Sequence, residues 1–176
     1  MTKYRVDELP YIMAWGDEQE YEARPCPDLG NELAIYQVDR RGHGAPLFKV
    51  RHIPRHREAV LHRLCQLCGE PLTDDGWIFL SAIVGIEAGR ILSWEPPVHE
   101  ACSTTALRRC PVLRSRGTPP IPMPTGTRVY PIAYNAAQAM QRYGVDIGSA
   151  DRVIVDLQYS ILASEALRLQ EIANRY

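Results

Sequence analysis

Apolar residues in this chain come in short runs set between turn formers, and each run predicts one element. Leu33-Ala34-Ile35-Tyr36-Gln37-Val38 and Pro46-Leu47-Phe48-Lys49-Val50 join β-branched and aromatic residues and predict two strands, with Gly42-His43-Gly44 as the turn signal between them. Upstream, residues 16–30 have no apolar period, and Gly16, Pro25, Pro27 and Gly30 punctuate an acidic stretch, so this segment predicts a loop. Downstream, Pro54 suits a helix start, and Val60, Leu61 and Leu64 supply an apolar face, which predicts a helix over 54–64 that leads into Cys65.

The second half alternates in the same way. Trp77-Ile78-Phe79-Leu80-Ser81-Ala82-Ile83 and Arg90-Ile91-Leu92-Ser93-Trp94, divided by Gly85 and Gly89, predict a β-hairpin. Pro96 and Pro97 end it, and His99 opens a helix that runs to Arg109 and stops at Cys110-Pro111. Residues 116–126 are proline-rich and predict an extended connector. Arg128-Val129-Tyr130-Pro131-Ile132-Ala133-Tyr134 predicts a strand, and Val153 to Ala173 predicts a long C-terminal helix capped by Ser149 or Asp151. Its stripe of Val155, Tyr159, Leu162, Ala166, Leu169 and Ala173 advances by 4, 3, 4, 3 and 4, a heptad seam of under three repeats. Short stripes are normally core, which favours packing on the protein's own sheet over a homodimer seam.

The pattern changes meaning once chemistry is added. Cys65-Gln66-Leu67-Cys68-Gly69 is answered about thirty positions later by His99-Glu100-Ala101-Cys102. A CxxC turn lets two thiolates face one ion, and positions i and i+3 of a helix share a face, so Cys65, Cys68, His99 and Cys102 can complete a tetrahedron around a structural Zn2+. Cys110 is the alternative fourth ligand, giving four cysteines in place of three and a histidine. A redox-active CxxC belongs at a strand-to-helix junction, whereas Cys65 follows a predicted helix and precedes Gly69-Glu70-Pro71. A knuckle, a hairpin and two ligands in the first turn of a helix describe a treble-clef-like zinc finger, here inside a small α+β domain. Cys26, isolated between two prolines, takes no role.

Composition narrows the class. With 176 residues, 45% hydrophobic and 23% charged, the chain is expected to be one folded, globular, cytoplasmic protein, with no apolar run near the ~20 residues of a membrane span. Its five cysteines, an odd number, fit reduced thiols and metal ligands better than disulfides. The net charge of −1 hides an asymmetry: residues 1–39 carry three bases against nine acids, 3 − 9 = −6, and residues 40–63 carry seven bases against Glu58, 7 − 1 = +6. Arg40, Arg41, Lys49, Arg51, Arg55, Arg57 and Arg63 could track a phosphate backbone, or the acidic arm could fold over them and neutralise them.

Other chemistry has little support. A treble-clef nuclease needs a histidine on the hairpin, and residues 69–98 contain none. His52 and His56 could share a helical face as a second metal pair, although such histidines more often serve the core or the surface. Asp74 and Asp75 before Gly76 read as a turn, and there is no GxSxG elbow or P-loop.

The run Pro46-Leu47-Phe48, Pro54-Arg55-His56-Arg57, Leu64-Cys65-Gln66-Leu67-Cys68-Gly69, Pro96-Pro97-Val98-His99-Glu100-Ala101-Cys102 and Cys110-Pro111-Val112-Leu113 resembles a family of small zinc-knuckle proteins from actinobacteria and their phages. The resemblance covers residues 46–113, is loose to residue 172, and does not extend to residues 1–40. It implies the metal-ligand set Cys65, Cys68, His99 and Cys102 with Cys110 nearby, and no catalytic residue.

The expected organisation is an acidic arm and first strand (1–45), a zinc-binding unit (46–115), the connector (116–126), and a strand with the long helix (127–176). The expected function is a non-enzymatic zinc-stabilised protein that binds another protein, with a phage origin and a host or defence protein as target following from the resemblance alone. Nucleic-acid binding through residues 40–63 is the alternative, and a metal-dependent hydrolase or nuclease the second alternative.

Overall fold

The computed structural model describes residues 5–80 and 83–174. It is a mixed α+β structure. In chain order its elements are β1 (Met13–Trp15), β2 (Tyr21–Cys26), β3 (Glu32–Gln37), β4 (Pro46–Arg51), α1 (Ile53–Leu61), β5 (Trp77–Ile78), β6 (Ile83–Glu87) and β7 (Arg90–Ser93). Then follow α2 (Glu100–Arg109), α3 (Pro111–Arg116), β8 (Ile121–Pro122), β9 (Arg128–Tyr134), α4 (Ala136–Tyr143), β10 (Val153–Leu162) and α5 (Ala163–Ala173). They form two compact units, one of Met1–Leu61 with Pro131–Leu157, the other of His62–Tyr130 with Gln158–Tyr176.

In the first unit, β2 and β3 form an antiparallel pair in register from Tyr21↔Gln37 to Cys26↔Glu32, and β3 pairs in parallel with β10 at Ile154↔Ala34. β2 replaces the loop expected over 16–30. Tyr21 and Ala23 turn to the core while Glu22 and Arg24 face water, a period of two too short to stand out between prolines. Pro25 is tolerated because β2 is an edge strand. The two predicted strands β3 and β4 do form, but with different partners, since β4 pairs antiparallel with β1. The core gathers Ile35, Ile53, Ala139, Val145, Ile147, Val153 and Val155.

The predicted 153–173 helix is a strand and then a shorter helix. Val153-Ile154-Val155 opens β10, which is buried along nearly its whole length, so its apolar run reflects a strand covered on both faces. The heptad seam therefore does not exist as one helix face: Val155, Tyr159 and Leu162 lie on β10, and only Ala166, Leu169 and Ala173 lie on α5. α4 was not expected from the apolar pattern, yet its signals are present: Asn135 caps it by accepting from the Gln138 amide, Gln138 returns the bond, and Gly144 closes it at φ 68°.

Two buried polar networks stiffen this unit. Glu18, fully buried, grips Arg55 with both carboxylate oxygens (2.7 and 2.8 Å) and accepts the Trp15 and Arg40 amides. Arg55 also donates to Asp39 (2.6 Å), Tyr11 O and Met13 O. His56 Nδ1 lies 2.5 Å from Asp156, whose other oxygen meets Arg51 at 3.1 Å. Burial pushes the Asp156 carboxyl up, but the His56 charge and hydrogen bond, Arg51 and the Leu157 amide together hold it below the usual range.

His52 is buried, donates from Nε2 to Val38 O (3.1 Å) and accepts the Arg55 amide at Nδ1. Burial first, and then the Arg55 charge, lower its pKa, so the folded protein holds it neutral. The folded pKa lies below the unfolded one. Its contribution to stability is therefore complete above the unfolded value of about 6.5 and is lost as pH falls below it. The urea midpoint should fall between about pH 7 and pH 5, and His52→Gln should flatten that dependence; an identical pH dependence in the variant would rule His52 out as its source.

In the second unit the hairpin is β6–β7, turning at Ala88-Gly89 with φ values of 46° and 73°, the geometry of a tight primed turn. The predicted hairpin is shorter and later than expected: β5 pairs with β8 instead, and residues 81–82 of the predicted first arm lie outside the described residues. The second half of β10 pairs with β7 from Tyr159↔Ser93 to Leu162↔Arg90. α3 was also not expected. Pro111 at its first position ends α2 and starts it. Among the described residues no helix is long and apolar enough to cross a membrane.

Candidate metal centre

The site starts from a tight turn. Cys65 donates its amide to Glu70 O (2.8 Å), Gly69 donates to Cys65 O (2.8 Å), and Leu72 donates to Arg63 O (2.8 Å), folding Cys65–Cys68 into a knuckle. Gly69 has φ 80°, which a side chain would strain. Gln66 ties the knuckle to the segment before α2, through its amide to Pro97 O (3.2 Å) and its side chain to Pro96 O (2.6 Å). Val98 exchanges two hydrogen bonds with Trp77 at 2.8 and 2.9 Å, so the chain enters α2 from a fixed point. His99 is the residue before the first turn of α2 and Cys102 lies in that turn. Beneath the knuckle, Cys65, Phe79 and Val98 are buried, with Leu67, Leu72, Trp77, Ala106, Leu107 and Leu113 packed around them.

The four donor atoms of Cys65, Cys68, His99 and Cys102 lie within 4.8 Å of one another. A tetrahedral ion with metal–sulfur and metal–nitrogen bonds of about 2.3 and 2.0 Å requires sulfur–nitrogen edges of about 3.5 Å. Cys68 Sγ is 3.5 Å and Cys102 Sγ 3.9 Å from His99 Nδ1. His99 Nε2 donates to Pro71 O at 3.0 Å, which fixes the tautomer that leaves the Nδ1 lone pair facing the sulfurs. These four residues can hold a metal ion.

The thiols differ in their electrostatics. Burial pushes Cys65 up, but the amides of Cys68, His99 and Leu67 outweigh it and leave Cys65 below the usual thiol value. Cys68 is raised, by burial and then by Cys65. Cys102 is raised to about 12 by burial and then by the negative charges of Cys65 and Cys68. Three thiolates repel one another, and a dication between them reverses that repulsion.

Cys110 stands apart from this group. It lies between α2 and α3, with its amide on Ala106 O, eight residues beyond Cys102, or about 12 Å along a helix axis. The donor atom gathered with the three sulfurs is therefore that of His99. Cys110→Ser should keep the metal content of the parent protein, while Cys102→Ser should lower it, both measured by elemental analysis of freshly purified protein. A metal-free Cys110→Ser protein would overturn this assignment.

His52 and His56 do not form a second metal pair, because each ring is engaged separately, with Val38 O and Asp156. Glu18, Asp39 and His52 do bring donor atoms within 4.8 Å, but the Arg55 guanidinium already sits among the carboxylates. Asp74 accepts the Gly76 amide at 2.7 Å, the turn that its sequence suggests.

The basic segment is largely bonded within the molecule. Arg55 and Arg57 are buried, Arg57 donating to Ile35 O and lying over the Tyr36 ring. Arg40 pairs with Glu20 at 3.0 Å, Arg51 with Asp156, and Arg63 with Asp75 at 2.9 Å. Arg41 donates to Val6 O and lies 5.3 Å over the Tyr11 ring, and Lys49 is exposed. Sequence reasoning did not find Glu18 as the anchor of Arg55, because 37 residues separate them and no local pattern marks either. Nor did it find Pro71 O as the partner of His99.

Comparison with family models, with curated proteins and with solved structures returns no match for this chain.

Proposed function

We propose that this chain is a non-enzymatic binding protein in which one structural Zn2+, held by Cys65, Cys68, His99 and Cys102, fixes a treble-clef-like unit and the folded surface engages another protein. The observation that carries this reading is the convergence of three thiols and one oriented imidazole at tetrahedral spacing. That soft donor set suits zinc over magnesium or calcium, and four protein donors leave no position for the water that a catalytic zinc requires. The treble-clef reading draws on order along the chain: a knuckle, the β6–β7 hairpin, then a helix whose start supplies the last two donors.

A protein partner is supported by Phe48, 53% exposed, and Val50, two exposed apolar side chains on β4 of the two-stranded β1–β4 sheet. Nucleic-acid binding through residues 40–63 draws less support, since most of that charge meets internal partners. Elemental analysis of the purified full chain should give about one zinc per chain. Metal well below stoichiometry would end the structural-zinc reading. For the partner, a crosslinked species captured by the parent protein should be lost with Phe48→Asp/Val50→Asp; capture unchanged by that variant would remove the β4 surface.

A further inference from the structure

The first unit carries an open cleft of about 410 Å³ lined by Tyr134, Gln138, Gln141 and Arg142. Small-molecule sites usually measure about 300–1,000 Å³. Its position follows from how α4 is laid down. Ala139 is buried in the core and Tyr143, four residues on, packs against that core, which fixes the inward side of the helix. Gln138, Gln141 and Arg142 stand at i, i+3 and i+4, so they share a different face, and all three are exposed. Tyr134 ends β9 just before the helix cap. Its ring stacks on Tyr143 with centroids 6.1 Å apart, and Tyr143 meets Tyr21 at 5.1 Å, so the aromatic wall of the cleft is braced by two further rings.

Each lining group has a defined capacity. Gln138 Oε1 accepts the Asn135 amide at 3.0 Å in the cap, which fixes the carboxamide and leaves its NH2 group to donate. Gln141 presents a donor and an acceptor side by side. Arg142 supplies a permanent positive charge on a planar fork, and residues 135–145 contain no Asp or Glu.

We propose that this cleft binds a nucleotide, with its phosphate on Arg142, its base against Tyr134 and the edge of the base on Gln141. A phosphate can take two parallel hydrogen bonds from one guanidinium. A base has a flat face for the tyrosine ring, and the adjacent donor and acceptor on an adenine edge match a glutamine carboxamide. A simple anion would use Arg142 alone and leave the ring and the carboxamides idle; an apolar ligand would cover the guanidinium without pairing it. Gln138 and Arg142 are four residues apart, about 6 Å along the helix axis, so one small ligand can reach the whole lining. The site uses none of the metal ligands and goes beyond the protein-binding reading.

The test is a titration of the isotope-labelled full chain with AMP, followed by amide shifts in NMR spectra. Saturable shifts should centre on α4 and the end of β9, with a Kd below about 1 mM. Adenosine, which lacks the group that Arg142 holds, should bind about tenfold more weakly. Arg142→Gln should bring AMP down to the adenosine affinity and leave adenosine unchanged. Tyr134→Leu should weaken both ligands about fivefold or more. Because Tyr134 also packs on Tyr143, Gln141→Ala at an exposed position serves as the second variant, and it should weaken both ligands without altering the spectrum outside the cleft. A pentaadenylate strand separates the two sources of a nucleotide. Binding at least about tenfold tighter than AMP, and weakened by Arg142→Gln, assigns the site to a nucleotide within a strand; binding equal to AMP assigns it to the free nucleotide. Absence of saturable shifts up to about 1 mM, shifts centred away from α4 and β9, or inorganic phosphate binding as well as AMP would overturn the proposal. Metal content of the same samples keeps failure of the zinc reading distinct.

Discussion

Removing the metal, by chelation or by Cys65→Ser, should unfold the second unit. Structural zinc in small domains contributes apparent binding energies of about 10 kcal/mol or more, comparable with the whole net stability of an ordinary domain at about 5–15 kcal/mol. Beneath the knuckle Cys65 is itself one of the buried residues, with Phe79 and Val98, so the ligand and that packing are lost together. Hydrogen exchange should show the knuckle, β5 and α2 losing protection, and zinc should restore it in the chelated protein but not in Cys65→Ser. A chelated protein that kept full protection across these elements would show that the ion, if bound, does not hold the fold.

Glu18→Ala should cost about 3–5 kcal/mol, the usual cost of breaking a buried pair and leaving one charge behind. Arg55 has 3% of its side chain exposed and would keep only Asp39, itself 60% exposed, as an anionic partner. The Trp15 and Arg40 amides would lose their acceptor too. Glu18→Leu/Arg55→Met removes both charges and should recover a large part of the loss. Urea denaturation measures all three proteins; a cost below about 1 kcal/mol for Glu18→Ala would place the pair with ordinary surface ion pairs.

What could be read before the structure was what local chemistry encodes. Cys65, Cys68, His99 and Cys102 were legible because ligand geometry constrains spacing within a turn and within one helical turn. The helix into Cys65, the strands at 33–38 and 46–50 and the helix from His99 follow from caps and apolar spacing. Pairing was not legible. β3 takes β2 and β10 as neighbours and not β4, a choice made by burial far along the chain. Val153–Leu162 was misread because a strand covered on both faces has no period of two, and its spacing then coincides with a heptad. The basic segment left two readings open, phosphate contact or neutralisation by the acidic arm, because composition counts charges but does not show that Arg55 faces Glu18 and Asp39.

The parallel pairing of Ala34 with Ile154 has a consequence for how the molecule is made. The four donor residues span Cys65 to Cys102, 102 − 65 = 37 positions, whereas that strand contact spans 154 − 34 = 120. During synthesis the ion-binding segment leaves the ribosome complete while β3 has β2 beside it but still lacks β10, and contacts of such sequence separation are intrinsically slow to form. Until β10 arrives, the side of β3 that it covers is an unpaired strand edge of the kind that templates association, and a chain truncated before β10 would keep that edge unpaired.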